Sequence, residues 1–131
     1  MKTFIELISF EVKHPIPKED CPYGFRKGSH PFVPALVRNW RKAIADAFLA
    51  AGGRKPEEGE KPRVFMVFTA EAKRTDGDHL LNALMDALTK DALSISDNKW
   101  TASYDFDDED APNPFAEKTL IEVQYTKKEV A

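Results

Sequence analysis

Residues 63–97 read RVFMVFTAEAKRTDGDHLLNALMDALTKDALSISD, and their reading decides the fold. The first ten, Arg63 to Ala72, alternate like a β-strand. Phe65, Val67 and Thr69 fall on one side; Val64, Met66, Phe68 and Ala70 fall on the other. Apolar residues on both sides mark a strand inside a sheet rather than at its edge. The polar run Lys73 to Asp78 interrupts the pattern, and the period then changes from two to 3.6. Leu80, Leu81, Leu84, Met85, Ala87 and Leu88 predict a helix over 79–91, with Asp78 as its N-cap. So many apolar positions cover most of the helix circumference, and such a helix wants burial on more than one face. A subunit interface is the expected source of the second face.

Working outward, Thr3 to Lys13 reads as a first strand, with Phe4, Ile8, Phe10 and Val12 on one face. His14 to Pro34 is a long loop rich in Pro and Gly. A helix is predicted over 35–51, where Val37, Trp40, Ile44 and Phe48 form the stripe and Gly52-Gly53 the stop. Lys99 to Phe106 and Glu117 to Lys127 read as two further strands. They flank an acidic loop containing Asp107, Asp108, Glu109 and Asp110, whose spacing and lack of glycine exclude an EF-hand. The order β-α-β-α-β-β predicts an α+β domain over residues 1–131: a mixed sheet of about four strands backed by two helices.

Composition narrows the class. The chain has 131 residues, 42% hydrophobic and 31% charged, which suits one globular domain. Its net charge is −3, so any contact with nucleic acid has to come from a local concentration of Lys and Arg. The single cysteine, Cys21, permits no internal disulfide and fits a reducing, cytoplasmic setting. No signal-peptide pattern and no run of membrane-spanning length is expected.

The chemistry-bearing candidates lie where the period changes. Asp76 and Asp78 form a D-x-D, and Asp97 follows nineteen residues later. Carboxylates are the hard oxygen ligands that Mg²⁺ takes, and two Asp at i and i+2 of an extended segment point the same way. A metal so held polarises a phosphodiester and lowers the pKa of a bound water. An intervening helix of about 13 residues is about 20 Å long, so Asp97 comes either from a chain that folds back or from a second subunit.

These residues resemble the core of the RusA-type Holliday junction resolvases. The similar run is Asp76-Gly77-Asp78-His79-Leu80, then Asp86-Ala87-Leu88-Thr89-Lys90, then Asp97. The Pro15-Ile16-Pro17 loop after the first strand and the stretch Arg26 to His30 are similar in kind. The resemblance implies that Asp76, Asp78 and Asp97 are catalytic carboxylates holding Mg²⁺. It implies a homodimer whose assembly completes the metal sites, and paired strand cleavage of four-way DNA junctions in recombination and repair. Such proteins often occur in phages and prophages. Three positions depart from the family pattern. Asn82 stands where the family has a Lys four residues after the second Asp, and His79 where it has Asn. Ser96 also replaces the first of an acidic pair. These departures favour, as the alternative, a RusA-fold DNA-binding or protein-interaction module with weakened or lost activity.

Basic residues supply the expected DNA contacts. Arg38, Arg41 and Lys42 share a helix face, Arg26 and Lys27 sit in the long loop with Tyr23 and Phe25, and Lys73 and Arg74 precede the D-x-D. His79 and Asn82 are accessory candidates. The acidic run Asp105 to Asp110 is expected to lie away from bound DNA, which it would repel.

Overall fold

The computed structural model describes residues 3–13, 24–25, 31–32, 35–68, 77–106 and 118–128. Six strands and two helices appear among them. These are β1 (Thr3–Val12), β2 (Gly24–Phe25), β3 (Pro31–Phe32), α1 (Ala35–Ala50), β4 (Glu60–Phe68), α2 (Gly77–Asp86), β5 (Thr101–Phe106) and β6 (Thr119–Lys128). Four form one mixed sheet in the order β1-β6-β4-β5. β6 runs antiparallel to both β1 and β4, whereas β4 and β5 are parallel. The pair β2–β3 is a separate two-stranded ribbon within the long loop, which the sequence did not announce. The α+β architecture, with four sheet strands and two helices, is as expected.

The strands alternate as half-buried strands do. Ile8 and Val12 of β1, Ile121, Val123 and Tyr125 of β6, and Val64, Met66 and Phe68 of β4 face one core. Ala102 and Tyr104 of β5 pack partly against it. Both helices lie on that side. Val37, Trp40, Ile44 and Phe48 are wholly buried from α1, and Leu80, Ala83, Leu84 and Leu88 from the second helical segment. Strand β4 is internal, as its sequence implied, but not because both faces are covered. Phe65, on its opposite face, is exposed.

The expected interface role of α2 needs correction. Leu80, Leu84, Met85, Ala87 and Leu88 are buried within the chain itself, between the sheet and α1. Being the crossover between two parallel strands, this helix gains a sheet on one side and a helix on the other, so its apolar girth requires no second subunit. It also begins at Gly77, which places Asp78 inside the first turn rather than at the N-cap. Toward its end the helix widens into a π-turn, Ala87–Asp91. There the buried Thr89 hydroxyl donates to the Met85 carbonyl at 2.6 Å, a local bond that competes with the regular ladder.

Helix α1 stops where the two glycines predicted. Gly53 N–H donates to Phe48 O at 2.8 Å and Gly52 N–H to Leu49 O at 3.1 Å, the paired bonds of a Schellman motif. Gly52 takes the left-handed φ of 100° that the motif needs. Gly53 is required for space: a Cβ there would lie 2.5 Å from the buried Phe48 ring. Gly53→Ala should therefore lower unfolding stability by about 2 kcal/mol through overpacking, read by urea denaturation. A change below 0.5 kcal/mol would show that Phe48 is free to shift.

Candidate active site

The end of the sheet at which β4 finishes collects the sequence candidates. Val12, Thr119, Phe68 and Phe106 stand side by side in register across all four strands. Residues 13–34 leave from this row, residues 69–76 lead from it to α2, and residues 107–118 join Phe106 to Thr119. Arg26, Lys27, Lys73, Arg74 and Asp76 all belong to these connections and lie outside the described residues. The acidic residues 107–110, expected to lie away from any DNA, also fall outside the described residues. Core packing reaches this end through Trp40, whose ring lies 6.5 Å from that of Phe68. Trp40 Nε1 and Thr119 Oγ1 are buried there without a hydrogen-bond partner among the described residues.

Asp78 and His79 are backbone-helical in the first turn of α2, where the positive end of the helix dipole favours a carboxylate. Asn82, one turn on, is exposed. Asp97 lies elsewhere. It belongs to the exposed turn that delivers the chain to β5, its carbonyl accepting the Trp100 N–H at 2.9 Å. Ser96 Oγ accepts the Asn98 N–H in the same turn at 3.4 Å. The flanking residues Ser96, Asn98 and Lys99 line a depression with Glu57, Glu58 and Gly59, ahead of the amino end of β4. The D-x-D thus follows the carboxyl end of the parallel pair, and Asp97 precedes its amino end. Among the described residues, no three acidic, His or Cys side chains converge as a metal site.

The basic face of α1 divides in two. Arg41 forms a fork-to-fork pair with Asp91, Nε to Oδ2 and Nη2 to Oδ1, both at 2.8 Å. Its side chain is mostly buried, tying α1 to the π-turn. This corrects its expected place among free phosphate contacts. Arg38 and Lys42 remain exposed, with no ion-pair partner among the described residues. Asp91 is 13 residues along the helical segment from Asp78, so Arg41 is fixed about 20 Å down that segment from the D-x-D end.

A second polar cluster gave no sequence motif. Arg54, just past the α1 stop, donates through Nη2 to Glu6 Oε2 at 2.6 Å and through Nη1 to Glu60 Oε1 at 2.7 Å. Its guanidinium stacks 4.2 Å from the centre of the Tyr125 ring, and Tyr125 Oη donates to the Arg54 carbonyl at 2.7 Å. Four segments meet here: β1, the loop after α1, β4 and β6. Burial pushes the Tyr125 phenol up, while the bond from Arg54 holds the Glu60 carboxyl below its ordinary range. The Arg54 guanidinium, bonded to Glu60 and Glu6, is held protonated. Only a three-dimensional register could reveal this clamp, because Glu6, Arg54, Glu60 and Tyr125 are scattered across 120 positions. The cluster lies at the amino end of β4, away from the D-x-D, and is structural.

Neither a protein-family model nor a curated protein matches the chain. No helix among the described residues is long and apolar enough to cross a membrane.

The clamp sets an acid limb. A carboxylate whose folded pKa is depressed adds stability that is full above its unfolded pKa and is lost as pH falls through the folded one. Stability should fall below about pH 4.5 on this account, and Glu60→Gln should flatten that limb while lowering stability at pH 7. Arg54→Ala should cost about 2–3 kcal/mol at pH 7, because it strands the nearly buried Glu60 carboxylate. An unchanged acid limb in Glu60→Gln would assign acid unfolding to other groups.

Proposed function

We propose that this chain is a dimeric, Mg²⁺-dependent, structure-specific endodeoxyribonuclease acting on branched DNA, in the manner of the RusA-type Holliday junction resolvases. The observation that carries the reading is the placement of the D-x-D. It follows the carboxyl end of an internal strand, in a parallel pair, and runs into the first turn of a helix. Open sheets place ligand sites at the carboxyl ends of parallel strands. The basic residues of the neighbouring connections, Arg26, Lys27, Lys73 and Arg74, depart from that same end.

The donor set suits the ion. Asp76, Asp78 and Asp97 offer only carboxylate oxygens, the ligands a hard divalent cation takes. Bound there, Mg²⁺ would supply Lewis-acid polarisation of the phosphodiester. The chain's own part is to position those carboxylates and hold the backbone. The backbone of Asp78 belongs to the first turn of the helix that follows, which is buried from Leu80 onward. Arg38 and Lys42 offer unspent charge to phosphates, and such contacts read junction shape rather than base sequence. Because Asp97 enters from the opposite end of the parallel pair, its natural contribution is to the site of a second copy.

One alternative has an observation in its favour. Asn82 is exposed on the first turns of α2 and brings no cation where the family has Lys. A RusA-fold module that binds branched DNA or a protein without cutting is consistent with that loss of charge.

Synthetic four-way junctions and linear duplex, each with and without Mg²⁺, separate these readings. Symmetric nicking of junctions only with Mg²⁺ supports the nuclease. A mobility shift without cutting supports the module, and neither response sinks both. Asp76→Asn should reduce cutting at least about 100-fold while sparing binding, since a lost charge-stabilising group costs about 3 kcal/mol of barrier. Arg38→Ala and Lys42→Ala should each weaken junction binding and lower its salt slope by about one. Arg41→Ala should mainly lower stability; equal effects of all three on binding would refute the division of the helix face.

A further inference from the structure

The face of the sheet turned away from the helices is unused by the nuclease reading, and at its centre the registers assemble polar groups around one exposed ring. Arg63 of β4 stands between Gln124 of β6 and Thr101 of β5. In the next row of the same face, Phe65 stands between Glu122 and Ser103. Phe65 is 41% exposed although its strand is internal. No helix covers this face, and Thr101 and Ser103 on the edge strand are too short to shield the ring. All six side chains line one shallow depression of about 380 Å³. Arg63 and Glu122 are exposed and have no ion-pair or hydrogen-bond partner among the described residues. A ring, an unspent cation, an unspent carboxylate and an amide thus meet in one place.

We propose that this depression binds single-stranded nucleic acid, with one unpaired base stacked on Phe65 and a neighbouring phosphate on Arg63. An aromatic ring exposed on an open four-stranded sheet is a stacking platform, because every base has a π-face. A duplex hides that face between its base pairs, so the ligand is unpaired. Arg63 supplies charge to the sugar-phosphate backbone. Lys61, two residues before it on the same face and also exposed, continues the cationic track. Glu122, directly opposite Phe65, meets the edge of a base stacked there. A carboxylate accepts from the exocyclic amino group of cytosine, which thymine lacks, so Glu122 favours cytosine. The Gln124 amide beside Arg63 both donates and accepts, and serves the same edge. The remaining acids set the direction of the strand. Glu11 is engaged by Lys13 at 3.6 Å and by Lys118 at 3.7 Å. Asp105, two residues beyond Ser103 on the same face, adds negative charge toward the carboxyl end of β4. The phosphates therefore run from Phe65 toward Lys61 and away from Asp105.

This site stands apart from the nuclease reading, since it lies on the opposite face of the sheet from α1 and its cations Arg38 and Lys42. It is tested by fluorescence anisotropy of the full chain with labelled oligodeoxycytidylate of about ten nucleotides, within the span such platforms occupy. Mg²⁺ is left out so that no cutting intervenes. The chain should bind this probe, and bind it more tightly than oligothymidylate of the same length. Phe65→Ala should weaken binding at least about tenfold and Phe65→Trp should preserve it, with unchanged circular dichroism in both. Arg63→Ala should weaken binding and lower its salt slope by about 0.7, the value for one phosphate of a single strand. It gives an independent reading should Phe65→Ala fail to fold. Glu122→Ala should erase the preference for cytosine. A chain that does not bind the probe overturns the proposal, as does binding indifferent to Phe65→Ala and Arg63→Ala, or binding lost only in Arg38→Ala. Equal affinity for the two oligonucleotides overturns the part given to Glu122. A chain that cuts junctions but ignores the probe loses this site and keeps the nuclease. One that binds the probe through Phe65 but never cuts keeps this site and loses the nuclease.

Discussion

Parallel neighbours cannot be joined by a tight turn, and this constraint organises the molecule. Strand β4 pairs in parallel with β5, so the chain must leave β4 at one end and re-enter at the other. The connection is the helical segment that starts at Gly77. Its burial follows, since a crossover helix has to lie on the sheet it crosses, and α1 occupies the rest of the same face. The separation of the carboxylates follows too. The D-x-D lies on the way out of β4, and Asp97 on the way into β5. Any metal site that drew on all three would have to bring together the two ends of the parallel pair.

Much of the fold was legible because its signals were local. The period-two run of β4 and the stripe of α1 each record one element facing one core. The stop at Gly52-Gly53 is chemistry confined to one turn. What escaped the sequence was relational. The apolar residues around α2 were read as surplus, but a linear pattern counts apolar faces without saying which element covers each. The one-sided covering of the sheet escaped for the same reason. Phe65 and Val67 look like core in sequence, yet Phe65 lies on the face without helices. The π-turn at Ala87–Asp91 depends on a single hydroxyl choosing a carbonyl within its own helix, which no periodicity displays.

The candidate site divides along the same line. The D-x-D was found because its spacing is local, and the structure adds that it follows the carboxyl end of an internal strand. Arg41 looked equivalent to Arg38 and Lys42, since i, i+3 and i+4 share a face. Asp91, fifty residues away in sequence, removes it from that group. A charge counted as available in a linear reading is available only if no distant carboxylate has claimed it. The same logic explains Arg54, which reads as one more loop cation but joins Glu6, Glu60 and Tyr125 across three strands.

The two ends of β4 now divide the work of the chain. At the amino end, the Arg54 cluster and the α1 stop commit most of their polar groups to one another, and a cluster so fully satisfied serves rigidity. At the carboxyl end, the polar candidates of the sequence belong to the connections between elements, and function concentrates in such segments when a scaffold holds their ends. Asp97 is the exception, an exposed carboxylate at the rigid end. Its carbonyl belongs to the turn that delivers the chain to β5, and the crossover between parallel strands sets it at the opposite end of the pair from the connection that leaves β4.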